Sequence, residues 1–132
     1  MALLIIQATE NTPRVYFDLN QGRLELRGRC FPDDTSKFFN PVLSWLSEHI
    51  GNQSVIARFE VYLEYYNTGT YIRLLELFDL LGDKNTQGHE IEVHWYVQEG
   101  DEDSIDNAES FMDVAKVPFK LRTLPTINFD GV

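Results

Sequence analysis

The sequence predicts an α/β domain in which a mixed β-sheet is flanked by helices. Residues 55–66 alternate between apolar and polar side chains and are rich in β-branched and aromatic residues, which is typical of a strand. In residues 71–81, apolar side chains recur at the i, i+3, i+4 and i+7 positions of an amphipathic helix: Leu74, Leu77, Phe78 and Leu81. Residues 89–98 alternate again, so a helix connects two strands that we predict to be parallel.

Three shorter strands are predicted before this unit. Leu3–Ala8 is an apolar run that ends before the turn at Thr12-Pro13. Val15–Asp18 and Arg23–Arg27 then form a predicted hairpin, in which Gly22 supplies the conformational freedom of the turn.

The first helix is predicted to begin after Asp33 and Asp34, whose side chains can cap its first turn. Its apolar residues follow a helical period up to His49, but Pro41 lies inside the pattern. We therefore predict a break and a restart with Pro41 at the opening position, and an end at Gly51.

The C-terminal half continues the alternation of helices and strands. Gly82 is the predicted end of the second helix. A third helix follows Glu99-Gly-Asp-Glu-Asp-Ser104, the first part of an acidic run that spans residues 99–109, and its predicted inner face consists of Ile105, Ala108, Met112 and Ala115. Phe119–Leu124 is a predicted last strand, and residues 125–132 carry little pattern and are expected to form a flexible tail.

Length and composition indicate one folded domain spanning residues 1–132. The chain is 43% hydrophobic, which is enough to bury a core, and its net charge of −10 would repel nucleic acid and anionic membranes. The single cysteine, Cys30, excludes an internal disulfide and suits a reducing cytoplasm. Met1–Ile6 is too short for a signal peptide or a membrane span, so we expect a cytoplasmic protein without membrane insertion.

No catalytic, cofactor or metal motif is found in the sequence. Glycine-rich nucleotide loops and nucleophile elbows are absent, and the acidic run lacks the ligand spacing of a calcium loop. The three histidines, His49, His89 and His94, have no ligand spacing. We therefore expect no enzyme activity, no cofactor and no metal; a small acid–base enzyme that uses carboxylates and histidines is the competing hypothesis.

The junction Asn67-Thr-Gly-Thr70 between the long strand and the second helix is the candidate functional site. Thr68 or Thr70 can cap the helix, which would be a purely structural role. Either hydroxyl can also accept a phosphate, which would meet free N–H groups and the positive end of the helix dipole. The alternation of the strand places Tyr65 on its apolar face and Tyr66 on the opposite face, so part of the tyrosine-rich surface beside Thr68 is predicted to be exposed as an interface.

Several short motifs, in order and spacing, resemble those of the SiaC family of bacterial biofilm-regulation phosphoproteins. They cover almost the whole chain: Thr12-Pro13 and Val15-Tyr-Phe17, then Phe31-Pro-Asp-Asp34, Phe38-Phe39 and Pro41 with Trp45-Leu46, then Leu63-Glu-Tyr-Tyr-Asn-Thr68, and finally His94-Trp95-Tyr96, Gly100-Asp-Glu-Asp103, Glu109 and Pro118-Phe119. The resemblance implies a fold like that of STAS domains, which are found in anti-sigma-factor antagonists. It also implies no enzymatic activity.

The resemblance further implies a partner-switching circuit. In such a circuit we expect a Ser/Thr kinase to phosphorylate the protein and a PP2C-type phosphatase to reverse the modification. The unphosphorylated form is expected to bind and activate a diguanylate cyclase, which raises cyclic di-GMP. The acceptor carried over is Thr68. Thr70 is an alternative, because Gly69-Thr70-Tyr71 stands where family members commonly have serines, and the STAS pattern Asp-Ser-Ser-Gly allows a shifted register.

The predicted partner surface surrounds this acceptor. It comprises Tyr66, Asn67, Thr68, Gly69, Thr70, Tyr71, Arg73 and Leu74. The remaining alternative is a constitutive protein-binding adaptor in which Thr68 is only a helix cap.

Overall fold

The computed structural model describes residues 2–51 and 53–131 of the 132-residue chain. In this part of the chain the elements are β1 (Leu3–Ile6), β2 (Arg14–Asp18), β3 (Arg23–Cys30), α1 (Thr35–His49), β4 (Ile56–Tyr66), α2 (Thr68–Thr86), β5 (Glu90–Gln98), α3 (Glu102–Val114) and β6 (Phe119–Leu124). No helix among the described residues is both long and apolar enough to cross a membrane.

The six strands form one mixed sheet in which the spatial order follows the order in the sequence. β1, β2 and β3 pair antiparallel, whereas β3, β4, β5 and β6 pair parallel. The predicted hairpin and the predicted parallel pairing across the second helix are both confirmed. Because each parallel connection contains a helix and such crossovers are right-handed, a sheet with this order carries its helices on one face.

Aromatic side chains pack the three helices onto that face. Phe17 of β2 contacts Trp45 of α1, Phe59 of β4 contacts Phe78 of α2, and Trp95 of β5 contacts Phe111 of α3, with ring centroids 5.5, 6.4 and 4.9 Å apart. The strand pairing places the three sheet residues on the same side of the sheet. The core therefore lies between one sheet face and the helix layer, and we call the opposite side the open face.

The predicted break at Pro41 is wrong, because α1 runs without interruption from Thr35 to His49. Pro41 lacks the N–H of one helical hydrogen bond, and such a residue costs about 3 kcal/mol inside a helix. The fully buried Phe39, Val42 and Leu46 lie on both sides of it. Each contributes roughly 1.5–3 kcal/mol by burial, so packing outweighs the loss. The predicted cap Asp34 is confirmed, and its carboxylate accepts a hydrogen bond from the Lys37 N–H at 3.2 Å.

The second helix is longer than predicted at both ends. It begins at Thr68 rather than Tyr71 and continues through Gly82 to Thr86. Gly82 is buried, and a Cβ atom at this position would lie 3.0 Å from the Lys116 carbonyl oxygen. The glycine therefore allows close approach of the segment after α3, and it does not end the helix.

The inner face of α3 also differs from the prediction. Ala108 and Phe111 are fully buried, whereas Met112 is 37% exposed. The buried stripe therefore follows the i, i+3 spacing from Ala108 to Phe111 rather than the i, i+4 spacing to Met112. Ile105 and Ala115 pack against the core as predicted.

The segment after β6 forms neither helix nor strand over residues 125–131. The Ile127 N–H donates to Gln98 Oε1 at 2.9 Å, and Arg27 Nη1 donates to the Asn128 carbonyl oxygen at 2.6 Å. These contacts, which the sequence did not predict, place the segment against the open face.

Candidate functional site at the junction of strand and helix

The junction between β4 and α2 lies at the carboxyl ends of the parallel strands, which is where sites in open α/β sheets commonly form. A groove of about 330 Å³ lies beside it. One wall contains Tyr65, Thr68 and Tyr71, and the other contains Ser104, Asn107 and Ser110 of α3. The second helix and the third helix therefore frame the predicted phosphoacceptor.

A β-bulge just before the junction reverses the predicted alternation of the tyrosines. Leu63 pairs with Gly28, but the next residue of β3, Arg29, pairs with Tyr65, so Glu64 is an extra residue on β4. Gly28 has a φ of +131°, which side chains disfavour and glycine tolerates. As a result Tyr65 is 55% exposed, whereas Tyr66 turns towards the core, contrary to the prediction.

Tyr66 and Tyr71 form an aromatic layer under the groove. The Tyr66 ring lies 5.8 Å from Trp95 and 5.9 Å from Phe111, and Tyr71 lies 4.6 Å from Phe111. Burial, with a smaller contribution from Tyr71, raises the pKa of Tyr66 to about 12. Tyr66 is therefore a neutral packing residue at physiological pH.

Asn67 caps the second helix. Its backbone is extended, and its side-chain oxygen accepts a hydrogen bond from the Thr70 N–H at 2.9 Å. The prediction that Thr68 or Thr70 is the N-cap is therefore wrong. The residue preceding the two threonines performs that function.

Thr70 fastens the start of α2 to the end of β3. It is fully buried, and its hydroxyl donates to the Cys30 carbonyl oxygen at 2.9 Å and lies 3.4 Å from Cys30 Sγ. Burial raises the pKa of the Cys30 thiol to about 11, although the Thr70 hydroxyl opposes this shift. The hydroxyl of Thr70, the alternative acceptor, is thus enclosed and already bonded.

Thr68 is the first residue of α2 and is exposed. Within the residues that the structure describes, its hydroxyl has no hydrogen-bond partner. Ile72 follows one turn later on the same side of the helix and is 54% exposed. Tyr65 and Ile72 therefore add apolar area around the hydroxyl. Sequence reasoning missed Ile72, although its i, i+4 spacing from Thr68 places both residues on one side of the helix.

The other residues of the predicted partner surface have different environments. Leu74 and Thr70 are fully buried and cannot contact a partner in this structure, which corrects the prediction. Arg73 is only 16% exposed, and it bonds to Asn40 of α1 and Glu76, so it joins two helices.

The remaining four residues are half-buried at the junction: Tyr66, Asn67, Gly69 and Tyr71. A Cβ atom at Gly69 would lie 3.0 Å from the Thr35 side chain, so this position packs against the start of α1.

The histidines do not form a common site. His89 Nδ1 accepts a hydrogen bond from the Val55 N–H at 3.1 Å, and the buried His94 bonds to Glu92 and Arg122 on the open face. Among the described residues, no three His, Cys, Asp or Glu side chains lie close enough together to hold a metal ion. In the acidic run, Asp101 caps α3 by accepting from the Ser104 N–H.

Comparison with known proteins supports the same fold. Apo-SiaC from Pseudomonas aeruginosa superposes with a TM-score of 0.82 at 24% identity, covering 92% of this chain and 99% of that chain. A chain in the crystal structure of the diguanylate cyclase SiaD in complex with its activator SiaC, from the same species, gives a TM-score of 0.85 at 24% identity with the same coverage. These similarities confirm the predicted α/β class.

Sequence comparison identifies the family. An uncharacterized protein of Pseudomonas aeruginosa (strain UCBPP-PA14) is 25% identical over 122 residues, which cover 92% of this chain and 97% of that protein. The model of the SiaC family regulatory phosphoproteins matches residues 6–124, which is most of the chain. The chain therefore belongs to the SiaC family of regulatory phosphoproteins.

Proposed function

We propose that this protein is a non-enzymatic phospho-switch whose unphosphorylated form binds and activates a diguanylate cyclase. A Ser/Thr kinase adds phosphate to Thr68, which blocks the interaction, and a PP2C-type phosphatase removes it. Membership in a family of regulatory phosphoproteins supports the switch. The similarity to a chain from a complex between a diguanylate cyclase and its activator supports the class of partner.

The observation that carries the proposal is the exposed position of Thr68, whose hydroxyl has no hydrogen-bond partner within residues 2–51 and 53–131. Asn67 caps the helix and Thr70 bonds to Cys30, so the fold uses both of the neighbouring polar side chains but leaves Thr68 exposed. A kinase can therefore modify Thr68 without breaking a hydrogen bond of the fold. Thr70 would first have to leave its buried position, which favours Thr68 as the acceptor.

A phosphate on Thr68 is compatible with the helix to which it is attached. The first N–H groups of a helix have no partner within the helix, and the positive end of the dipole favours an anion. The modification adds about −1.5 to −2 charges to a protein of net charge −10. We therefore expect the fold to be retained while the surface around Thr68 becomes strongly anionic.

The partner surface that we propose surrounds Thr68 with apolar side chains. Tyr65 and Ile72 are more than half exposed on either side of the junction, and Tyr65 and Thr68 line the groove together with residues of α3. Aromatic and aliphatic side chains at the centre of an interface carry most of its binding energy. A phosphate among them would have to be desolvated on binding, and a loss of even about 3 kcal/mol lowers affinity more than a hundredfold.

The structure weakens the alternative of a constitutive adaptor. That alternative explains Thr68 as a helix cap, but Asn67 has this role. The acid–base enzyme is disfavoured because the histidines lie in separate environments.

Binding of purified variants to a diguanylate cyclase of the same organism tests the proposal. Thr68→Asp should reduce affinity by about a hundredfold or more and abolish activation of cyclic di-GMP synthesis, whereas Thr68→Val should retain both. Thr126→Asp adds the same charge at an exposed position outside the groove and serves as the matched control. Equal binding by Thr68→Asp and the wild type, with both folded, would contradict the switch.

The modification itself is tested by intact mass and peptide mapping of protein purified from its native host. We expect one phosphate on the peptide containing Thr68, removed by a PP2C-type phosphatase. A phosphate found only on another residue would refute the assignment of the acceptor.

A further inference from the structure

The open face of the sheet carries most of the basic residues of this acidic protein. Seven of the eleven lysines and arginines lie on it, as the strand pairing shows: Arg14, Arg23, Arg27, Arg29, Arg58, Lys120 and Arg122. The net charge of the chain is −10, so the helix side holds most of the excess negative charge. The same pairing also places Asp18, Glu25, Glu60, Glu90 and Glu92 on this face, so it is nearly balanced in charge and repels an anion less than the helix side does.

At the centre of this face, three arginines surround one buried carboxylate. Glu25 is 1% exposed, and it accepts hydrogen bonds from Arg14 Nη1 at 2.9 Å, Arg23 Nη2 at 2.7 Å and Arg27 Nη2 at 3.1 Å. Arg27 Nε adds a fourth bond at 3.4 Å. We call these four residues the arginine cluster.

The arginine cluster has more donors than the fold uses. A carboxylate offers about four acceptor sites, and the four bonds fill those of Glu25. Each guanidinium has five N–H donors, about fifteen in total. Besides the bonds to Glu25, the described residues accept only one further bond from Arg23, to Glu60, and one from Arg27, to the Asn128 carbonyl oxygen. Most of the donors therefore remain available, together with a positive charge that Glu25 alone does not neutralise.

A cavity of about 270 Å³ lies directly over these donors. Its lining consists of the arginine cluster with Asn128 and Gly131 of the C-terminal segment. The Arg27 guanidinium is fixed in orientation by the Tyr62 ring, whose centroid is 3.8 Å below it. The cavity is thus a polar, preorganised space with the size of a small ligand.

We propose that the arginine cluster binds a small oxyanion of the phosphate class, either free phosphate or a phosphate monoester. Guanidinium groups match the geometry of phosphate oxygens and donate paired hydrogen bonds to them. Glu25 holds the three side chains in position, and the backbone around Asn128 and Gly131 forms the rim. This site is on the opposite side of the sheet from the helix layer and is independent of the proposed switch at Thr68.

Calorimetric titration of the full chain with inorganic phosphate and, separately, with glycerol 3-phosphate tests the proposal. Chloride at matched ionic strength is the control for screening. Saturable binding of both ligands indicates a site for the oxyanion itself, and tighter binding of glycerol 3-phosphate assigns it to monoesters. Absence of saturable binding of either ligand at millimolar concentrations overturns the proposal.

Variants locate the site. Arg14→Gln should weaken phosphate binding by about tenfold or more, because it removes one charge while keeping a donor for Glu25. Arg122→Gln removes the same charge from the same face outside the cavity and should bind like the wild type.

A readout without substitution keeps the test valid if Arg14→Gln is unstable. Phosphate should shift the NMR signals of the Arg27 Nε–H and the Gly131 amide of the wild-type protein. Shifts confined to residues outside the cavity, or equal weakening in both variants, would refute the site.

Discussion

Replacing Thr70 by valine separates the structural threonine of the junction from the proposed functional one. The substitution keeps the shape of the side chain but removes the hydroxyl, which donates to the Cys30 carbonyl oxygen at 2.9 Å in a fully buried position. That carbonyl still accepts the Asn67 N–H at 3.3 Å, so it is not left without a partner. The expected loss is therefore the net value of one hydrogen bond, about 1–1.5 kcal/mol, rather than the larger penalty of an unsatisfied buried group.

The matched control is Thr68→Val. Thr68 is exposed and its hydroxyl makes no hydrogen bond to the described part of the chain, so the free energy of unfolding should change by less than about 0.5 kcal/mol. For a chain of 132 residues, 1 kcal/mol corresponds to a change in Tm of about 4 °C. Thermal unfolding should thus place Thr70→Val about 4–6 °C below the wild type and Thr68→Val within about 2 °C of it. Urea unfolding should give the corresponding differences in the free energy of unfolding.

Two results would refute this reasoning. If Thr70→Val unfolds like the wild type, the buried hydrogen bond to Cys30 does not hold the helix, and Thr70 regains its candidacy as an acceptor. If Thr68→Val is the less stable variant, the hydroxyl of Thr68 has a structural role that its contacts in the described part of the chain do not explain.

Three further predictions concern the core and its pH dependence. Burial raises the pKa of the Cys30 thiol from its ordinary value of 9.0 to about 11, so its contribution to stability is complete below pH 9.0 and is lost as the pH rises towards 11. Cys30→Ala should therefore flatten the pH profile of the free energy of unfolding, measured in urea, by about 2–3 kcal/mol across this window. An unchanged slope would contradict the shift. Phe111→Ala should destabilise the fold by about 3–5 kcal/mol in urea, because the ring contacts Tyr71, Trp95 and Phe78; a loss below 1 kcal/mol would show that α3 does not share the core. Gly82→Ala should destabilise the fold by about 1–3 kcal/mol despite the better helix propensity of alanine, since its Cβ would lie 3.0 Å from the Lys116 carbonyl oxygen. A variant that is more stable than the wild type in thermal unfolding would argue against close packing between α2 and this carbonyl.

The sequence predicted the elements well because their signals are local. Alternation in residues 55–66 and 89–98 and the helical period in residues 71–81 each arise from one buried face, and the structure buries those faces. The parallel pairing of β4 and β5 followed from the intervening helix. The predictions at Pro41 and Gly82 were wrong because they applied local rules, that proline interrupts a helix and that glycine ends one. Tertiary packing overrides both rules here, and the sequence around each residue does not reveal that packing.

The details of the junction depended on contacts that are distant in the sequence. The bulge at Glu64 is defined by pairing with Gly28, which no periodicity within β4 reveals, and it exchanges the environments of Tyr65 and Tyr66. Thr70 bonds to Cys30, which lies forty residues away in the sequence, so no local pattern could predict that its hydroxyl is enclosed. The cap at Asn67 was within reach of sequence reasoning, because asparagine is among the strongest N-cap residues.

Under the proposed function, the arrangement at the junction explains how the hydroxyl of Thr68 is modified without a change in fold. A modification that leaves the fold intact is favoured at a side chain that makes no contact needed for stability, and in a switch that side chain lies where a partner contacts the protein. Asn67 and Thr70 take over the cap and the anchor, so Thr68 is left with neither function. The same two residues fix the backbone on both sides of Thr68, which would keep its hydroxyl at a constant position for the proposed kinase, phosphatase and partner. If the proposed function is correct, weakening the cap or the anchor should therefore impair recognition by all three, whereas Thr68→Asp should impair partner binding and leave stability nearly unchanged.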